Sequence, residues 1–368
     1  MKLSCTQENL VKGVLIASRI VGTRGTLPIL SHLLLSTDKG RLKLTGTDLE
    51  IAIIALVGAK VEKEGSITIP GRLLNEFISS INDKTIELEK INNTLKVSTE
   101  NISAELNGLD PQDFPLIPQI DEKNSLFISA KELKSALNEV IFAVAFDETR
   151  PVLTGIYCKV EKNNITFVAT DSYRLAERQI TISNQEIKPS ELIIPSRTIH
   201  ELIRLLDVTG EEIKISITPT QISFSSESVQ IISRIIEGNY PDYQQIIPKE
   251  AKTKVTIESK KFQSALKLAI SFSRDVSNNI RLQIKNGEPL VVIAASAHIG
   301  SSIIKVEKEQ AGDDLEIAFN GKFLIDILTT IQGEKVIMKF NGNLSSVIIL
   351  PEKQTGYMTL VMPLKLEE

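Results

Sequence analysis

The sequence predicts an α+β fold of three repeated domains, each with two helices packed on antiparallel sheets. Two observations predict it: a strand-to-helix segment recurs at intervals of 125 residues, and short alternating runs rich in Val, Ile and Leu lie between the helices. Period-two alternation is typical of half-buried strands. Helices that bury one apolar face on an antiparallel sheet give the α+β class.

The repeat is clearest where a strand passes into a helix. Each copy has a short apolar strand, a Pro or Asn break, a small residue, a cation and then apolar residues at helical spacing. The three copies are residues 67–78, 192–203 and 317–328. Pro70 and Pro195 suit the start of a helix, and Asn320 suits an N-cap. A second helix recurs in each copy, so six helices are predicted.

The strands and the domain boundaries follow from the same patterning. Alternating segments at 85–89, 212–217 and 335–340 predict strands. Polar stretches near 119–124 and 249–254 separate the repeats. The predicted domains are residues 1–119, 126–249 and 253–368.

Composition excludes several classes of protein. The formal net charge is -4, whereas a protein that binds nucleic acid over its whole surface is strongly basic. Two cysteines and three scattered histidines provide neither a disulfide framework nor a metal site. No apolar run approaches the roughly 18 residues of a membrane helix, and the N-terminus lacks the apolar stretch of a signal peptide. We therefore expect a soluble cytoplasmic protein with no cofactor, no metal and no membrane contact.

The positive charge is concentrated on the predicted helices. The helix windows are residues 6–19, 70–81, 129–144, 195–206, 258–274 and 320–331. Together they hold 12 Lys or Arg and 7 Asp or Glu, which leaves the rest of the chain with a net charge of -9. Four lysines on these helices are candidates to face DNA: Lys12, Lys134, Lys260 and Lys267.

Three cations occupy the same position in the three repeats: Arg72, Arg197 and Lys322. Like charges placed alike favour a shared polyanion such as DNA. The alternative is that each one pairs with the acidic residue four positions further along its own helix, which is an ordinary surface pair.

Helix dimensions bear on assembly. A ring of six packed helices leaves a hole of about 6–9 Å, whereas twelve helices leave about 20–28 Å, close to the width of B-form DNA. A head-to-tail homodimer could therefore encircle a duplex, and its contact would join the first repeat of one chain to the third of the other. Ala104 and Leu106 alternate with polar residues as a sheet edge does, and Phe272 is a candidate partner for that edge. The alternative is that these side chains fill the cores of their own domains.

The chain resembles the β subunit of bacterial DNA polymerase III, the sliding-clamp family, over essentially its whole length. The motifs that carry the resemblance are Thr-Leu-Pro-Ile-Leu at 26–30, Thr-Gly-Thr-Asp-Leu-Glu at 45–50, Ala-Thr-Asp at 169–171 with Arg-Leu-Ala at 174–176, Tyr-Pro-Asp-Tyr at 240–243 and Val-Met-Pro-Leu at 361–364. The resemblance implies a ring-shaped homodimer that surrounds duplex DNA, tethers the polymerase III catalytic subunit and performs no covalent chemistry. It also implies placement on DNA by an ATP-driven clamp loader. By the same resemblance Arg24, Arg72 and Arg197 would face DNA.

The resemblance further implies a groove between the second and third repeats that captures short peptides from polymerases, the loader and other clamp-binding proteins. Its wall would be Leu153, Thr170, Ser172, Tyr173, Arg174, Leu175, Pro241, Ile246, Leu344, Ser346, Leu360, Met362, Pro363 and Leu364. This chain departs from the family at Ser172 and Tyr173, where Gly-His is common, at Lys365, where Arg is common, and at Glu367 and Glu368, which extend past the usual end. These departures bear on which peptides bind best.

The residues themselves support such a groove only in part. Residues 359–364 are uncharged and apolar, and methionine adapts to varied ligands. The alternative is that this segment only completes the last sheet.

Two other function classes compete with a sliding clamp. A nucleic-acid-processing enzyme is disfavoured because the sequence has neither a phosphate-binding loop nor a zinc-protease motif. The pairs Thr47–Asp48 and Thr170–Asp171 recur in two repeats, which suits a structural turn better than acid–base catalysis. A static DNA-coating or scaffold protein is the other alternative, and it predicts equal binding to linear and circular DNA.

Overall fold

The structure is a computed structural model that describes residues 1–22, 27–121, 123–182 and 188–365. Arg24, Glu367 and Glu368 lie outside the described residues. The chain divides into two compact units. Unit 1 comprises Met1–Lys134 and Arg197–Ile235, and unit 2 comprises Ser135–Ser196 and Ile236–Glu368.

Six α-helices occur in the described part of the chain. They are α1 (Gln7–Ala17), α2 (Gly71–Ser79), α3 (Ala130–Val140), α4 (Ser196–Leu205), α5 (Ser259–Ile270) and α6 (Gly321–Thr330). Each lies inside one of the six windows predicted from the sequence. Several windows run too long because a 3₁₀ turn follows the helix, as at Ser18–Ile20 and Ile141–Ala143. The predicted cap is confirmed, since the Asn320 side chain accepts a hydrogen bond from the backbone N of Lys322 at 3.0 Å.

Unit 1 contains two antiparallel sheets. The five-stranded sheet has the order β5 (Lys60–Lys63), β1 (Lys2–Thr6), β7 (Thr85–Ile91), β8 (Thr94–Ser98), β9 (Ser103–Asn107). The eight-stranded sheet has the order β10 (Ser125–Ser129), β15 (Glu212–Ile217), β16 (Gln221–Ser225), β17 (Val229–Arg234), β4 (Ile51–Gly58), β3 (Arg41–Thr47), β2 (His32–Asp38), β6 (Ser66–Pro70). The strands predicted at 85–89 and 212–217 are β7 and β15.

Unit 2 also contains two antiparallel sheets. The nine-stranded sheet has the order β14 (Ser190–Pro195), β11 (Gly155–Glu161), β12 (Asn164–Thr170), β13 (Arg174–Thr181), β26 (Tyr357–Val361), β25 (Val347–Pro351), β24 (Lys335–Phe340), β18 (Thr253–Glu258), β22 (Lys308–Gly312). The four-stranded sheet has the order β21 (Gly300–Val306), β20 (Leu290–Ser296), β19 (Asn279–Ile284), β23 (Leu315–Asn320). The strand predicted at 335–340 is β24.

The largest sheets join successive repeats. In unit 1, β17 pairs with β4 and places Ile232 opposite Ala52. In unit 2, β13 pairs with β26 and places Leu175 opposite Leu360. Both compact units therefore combine strands of two repeats. The three-domain division at 1–119, 126–249 and 253–368 stays a prediction.

Helices cover these sheets with their apolar faces. In unit 1, α1 packs on β4 and buries Leu10 and Val14 in the core of the unit. Gly13 is required at this contact, because a Cβ there would lie 2.4 Å from the Val57 side chain. In unit 2, α5 and α6 pack on each other, and Phe262 of α5 is fully buried. The predicted arrangement of paired helices on antiparallel sheets is confirmed.

Candidate binding sites

A tight turn between β12 and β13 shapes the candidate peptide groove in unit 2. The Thr170 hydroxyl donates to the carbonyl of Arg174 at 2.7 Å and accepts from the backbone N of Ser172 at 3.1 Å. The Asp171 carboxylate accepts from the backbone N of Tyr173 and of Arg174, both at 3.0 Å. Ser172 adopts the left-handed backbone conformation, with φ of 76°.

The same turn occurs between β3 and β4 in unit 1. The Thr47 hydroxyl donates to the carbonyl of Ile51 at 2.9 Å and accepts from the backbone N of Leu49 at 3.1 Å. Asp48 accepts from the backbone N of Glu50 at 3.1 Å and of Ile51 at 2.8 Å. The repeated Thr–Asp pairs thus hold two equivalent turns, as the structural interpretation predicted.

Each turn also accepts an equivalent backbone hydrogen bond from a distant segment of the chain. The backbone N of Met362 donates to the carbonyl of Tyr173 at 2.8 Å, and the backbone N of Arg234 donates to the carbonyl of Glu50 at 3.0 Å. The two turns therefore share one backbone construction and differ in their side chains. Where unit 2 has Tyr173, unit 1 has Glu50.

Arg174 is the most constrained side chain at the groove, with 6% of its surface exposed. Its guanidinium is 3.0 Å from the Asp171 carboxylate and 2.6 Å from the carboxylate of Asp326 on α6. Its central carbon lies 4.6 Å from the ring centroid of Phe323 and 5.3 Å from that of Phe142. Two carboxylates and two aromatic faces offset the loss of solvation. Arg174 therefore fixes the turn to α6 and is not an exposed cation.

We predict that Arg174→Ala lowers the free energy of unfolding by about 3 kcal/mol, because the substitution leaves partly buried carboxylates without their partner. Chemical denaturation followed by circular dichroism measures the loss. The matched control is Arg72→Ala, which breaks an exposed pair and should cost less than about 1 kcal/mol. Equal losses for the two variants would contradict the structural role of Arg174.

Four predicted groove residues are large apolar side chains that remain exposed. Tyr173 is 62% exposed and Leu344 is 68% exposed, and Ile246 and Met362 are also exposed. They belong to four chain segments that the structure brings together. The Ser346 hydroxyl donates to the carbonyl of Ile246 at 3.0 Å, which joins two of the segments. Contiguous exposed apolar surface marks interaction sites.

The other predicted groove residues range from buried, as a groove floor would be, to exposed, as its rim would be. Buried residues are Leu153, Thr170, Arg174, Leu175, Ser346 and Leu360. Ser172 and Pro241 are exposed, and Pro363 and Leu364 are half-buried. Leu175 and Leu360 pack in one core cluster with Tyr243. Residues 359–361 complete the nine-stranded sheet as the end of β26, and Leu364 forms an isolated bridge with Ala318 of β23. The role of residues 362–364 in a peptide groove stays a prediction.

The three equivalent cations have different partners. Arg72 is exposed, and its guanidinium lies 2.8 Å from the Glu76 carboxylate four residues on. Arg197 pairs with Asp48 instead of Glu201. Lys322 is exposed and has no carboxylate within salt-bridge distance in the described ranges. The alternative interpretation, pairing four residues along the helix, therefore applies only to Arg72 among these three.

The carboxylates that the alternative interpretation assigns to the other two cations already have other partners. Glu201 accepts from Arg19 and Arg204, each at 2.8 Å. Asp326 is held by Arg174. Arg197 and Lys322 are therefore not neutralised by their own helices.

The remaining predicted helix cations are also at the surface. Lys12 pairs with Glu8 at 2.7 Å and Lys134 pairs with Asp207. Lys260 is exposed, and the Lys267 ammonium is 3.5 Å from the side-chain amide of Gln263.

Each of the four sheets in the described part of the chain has two edge strands, and β9 and β21 are two of these edges. β9 pairs with β8 alone, and it carries half-buried Ala104 and buried Leu106. Leu106 packs in the core of unit 1, as its alternative interpretation predicted. β21 pairs with β20 alone, and its Ile303 is 68% exposed. Phe272 is half-buried just after α5.

The described residues offer little for catalysis. Burial raises the pKa of both Cys5 and Cys158 to about 12, so these thiols stay protonated and poorly nucleophilic. Within the described ranges there is no group of three or more His, Cys, Asp or Glu side chains that could hold a metal ion. No described helix is both long and apolar enough to cross a membrane.

Comparisons with known proteins agree over the full length of the chain. Family models of the DNA polymerase III beta subunit match as the N-terminal domain over residues 1–118, the central domain over 127–242 and the C-terminal domain over 244–365. The beta sliding clamp of Bacillus subtilis is 31% identical, with 99% of this chain and 100% of the relative covered. The beta sliding clamp of Synechococcus elongatus is 32% identical, with both chains fully covered.

Solved structures give the same result. The crystal structure of the DNA polymerase sliding clamp from Bacillus subtilis aligns with a TM-score of 0.96 at 29% identity over all of both chains. A sliding clamp from Pseudomonas aeruginosa bound to griselimycin aligns with a TM-score of 0.95 at 27% identity, also over all of both chains. The fold and its matches define a non-catalytic component of the DNA replication machinery. The chain belongs to the DNA polymerase III beta-subunit family of sliding clamps.

Proposed function

We propose that two copies of this chain close into a ring around duplex DNA, slide along it and tether the replicative polymerase and other clamp-binding proteins. The observation that carries this proposal is the full-length match to a DNA polymerase sliding clamp at a TM-score of 0.96. A clamp loader driven by ATP would open and place the ring. The ring would work in the cytoplasm without a cofactor.

The free edges of β9 and β21 support a head-to-tail dimer. An unpaired strand edge is a ready template for pairing with another chain. Glu105 on β9 and Lys305 on β21 are exposed and opposite in charge. In the proposed interface β9 of one protomer meets the third repeat of its partner. The residues assigned to it are Ala104, Leu106 and Phe272.

The helix cations support weak, exchangeable DNA contacts. Arg72 and Lys12 each pair with an exposed carboxylate on their own helix. Exposed pairs of this kind contribute about 0.3–0.5 kcal/mol, so a phosphate can replace the carboxylate at little cost. The proposed DNA-facing residues are Arg24, Arg72, Arg197, Lys322, Lys12, Lys134, Lys260 and Lys267. The modest net positive charge of the helices attracts a duplex without holding it at one register.

The exposed apolar side chains of unit 2 support the peptide groove. Tyr173, Ile246, Leu344 and Met362 present apolar surface beside the polar groups of a rigid turn. Apolar surface with a few fixed polar groups is typical of sites that bind peptides and small ligands. We assign the whole predicted groove set to this site. Griselimycin, bound by the Pseudomonas aeruginosa clamp, is a candidate ligand.

The dimer is tested by size-exclusion chromatography with light scattering. We expect a particle of about 81 kDa, twice the 40.7 kDa of one chain. Ile303→Lys should give single chains, because a buried ammonium at a strand edge opposes pairing. Leu344→Lys is the matched control, since Leu344 is equally exposed but belongs to the groove, and it should remain a dimer. A single-chain mass for the unmodified protein, or an intact Ile303→Lys dimer, would refute this interface.

A further inference from the structure

We propose that a tyrosine-lined cleft in unit 2 extends the peptide groove and binds an arginine side chain that flanks the clamp-binding segment of a partner. The inference rests on the proposed function, because it requires that the groove binds peptides. The cleft has a volume of about 490 Å³. The aromatic and charged residues of its lining are Tyr157, Lys159, Glu191, Tyr240, Asp242 and Tyr243.

The cleft presents aromatic rings to its occupant. The rings of Tyr157 and Tyr240 are stacked, with centroids 4.9 Å apart and planes 14° apart. Tyr243 meets Tyr157 edge-on at 6.4 Å. Tyr157 and Tyr240 are both half-buried, so each residue keeps some accessible surface in the cleft. A planar guanidinium stacks on such rings and gains cation–π attraction.

The charge of the cleft favours a cation. Glu191 and Asp242 are exposed carboxylates on its rim. The single cation of the lining, Lys159, has its ammonium 2.9 Å from the carboxylate of Glu161, which neutralises it. A guanidinium can pair with a carboxylate through two parallel hydrogen bonds while it lies on an aromatic face. Arginine therefore fits the cleft better than lysine, and an acidic side chain would be repelled.

The cleft and the groove adjoin: they share one wall residue and one buried core cluster. Tyr157 on β11 lies opposite Val168 on β12, and Val168 packs with Leu175 and Leu360 of the groove floor. Tyr240 and Tyr243 contact the same cluster. Pro241, which is assigned to the groove wall, also lines the cleft.

The position of the cleft beside the groove determines which part of a bound peptide can enter it. A peptide in the groove that reaches Pro241 has one of its ends beside the tyrosines. The side chain that reaches them therefore belongs to a residue just outside the clamp-binding segment. Because the rings and carboxylates select for a guanidinium, that residue is an arginine.

The test compares arginine with citrulline, which has the same shape and no charge. The probes are fluorescent peptides that carry the clamp-binding segment of the polymerase from the same organism. Arginine or citrulline is placed at successive positions beyond either end of that segment. Fluorescence anisotropy measures the dissociation constants. At one end we expect the arginine peptide to bind about fivefold more tightly, consistent with a cation–π contact and an ion pair.

Two variants test whether the preference for arginine over citrulline arises from the cleft. Glu191→Gln should reduce the preference for arginine to less than about twofold and leave the citrulline peptide unaffected. Glu288→Gln is the matched control, because it removes an exposed carboxylate next to the four-stranded sheet of the same unit, and it should leave the preference intact. Equal affinities for arginine and citrulline at every position would overturn the inference, as would a preference that survives Glu191→Gln. If the citrulline peptide itself fails to bind, the groove proposal fails first.

Discussion

A closed circular duplex should retain the loaded protein at least about tenfold longer than a linear duplex of the same length. A ring that is linked to DNA mechanically can leave a linear duplex by sliding off an end, whereas a circle has no end. We expect the contacts between the helix cations and DNA to be too weak to prevent sliding. Arg72 and Lys12, for example, also pair with exposed carboxylates of their own helices, which compete with the phosphates. Gel filtration of protein loaded by the clamp loader with ATP, followed over time, measures retention on each DNA.

Blocked ends provide the matched control for this experiment. A linear duplex with a bulky protein bound at both ends should regain most of the retention of the circle, because the ring cannot pass the blocks. A static coating protein would instead dissociate at the same rate from all three DNAs, and its affinity for DNA would fall steeply as the salt concentration rises. Equal retention on the open linear duplex and the circle would therefore exclude encirclement and favour the coating alternative.

The helices could be predicted from the sequence because each carries its signal locally. The cation position shared by Arg72, Arg197 and Lys322 and the 125-residue interval located α2, α4 and α6. The strands at 85–89, 212–217 and 335–340 were visible for the same reason, since alternation is a property of neighbouring residues. Errors were confined to helix ends, where 3₁₀ turns continue the apolar pattern.

The connections between repeats could not be predicted in this way. Nothing in the local pattern indicates that Leu175 faces Leu360, because pairing between distant strands depends on the packing of the whole unit. The environment of Arg174 has the same origin. Asp326 and Phe323 reach it from α6, far along the chain, and a lone arginine in a strand carries no signal of such partners.

In the candidate sites, too, only features that depend on neighbouring residues could be predicted from the sequence. The sequence identified the helix cations and favoured a polyanion as the partner of Arg197, with Glu201 as the alternative, but it gave no sign of the contact with Asp48. The groove residues came mainly from the family resemblance, because only residues 359–364 stood out by composition. The tyrosine-lined cleft was missed. Its rings come from two segments, around Tyr157 and Tyr240, that only the folded chain brings together.

Removal of residues 362–368 should weaken binding of a polymerase clamp-binding peptide by about 100-fold or more, while the protein remains a folded dimer. The truncation point follows from the structure. A deletion that begins at Thr359 would cut β26, which lies between β13 and β25 and holds the nine-stranded sheet together. A deletion that begins at Met362 keeps the whole strand and removes Met362, Pro363 and Leu364 from the groove wall.

Fluorescence anisotropy of a labelled polymerase peptide measures the loss, and light scattering and circular dichroism verify the dimer and the fold. The matched control is Arg234→Ala. Arg234, the last residue of β17, contacts the equivalent turn in unit 1, where its backbone N donates to the carbonyl of Glu50 as that of Met362 donates to the carbonyl of Tyr173. Its substitution should leave peptide affinity unchanged, because Arg234 lies in unit 1 whereas all residues assigned to the groove lie in unit 2. Full affinity in the truncated protein would remove the chain terminus from the peptide site and leave the exposed surface of Met362 unexplained.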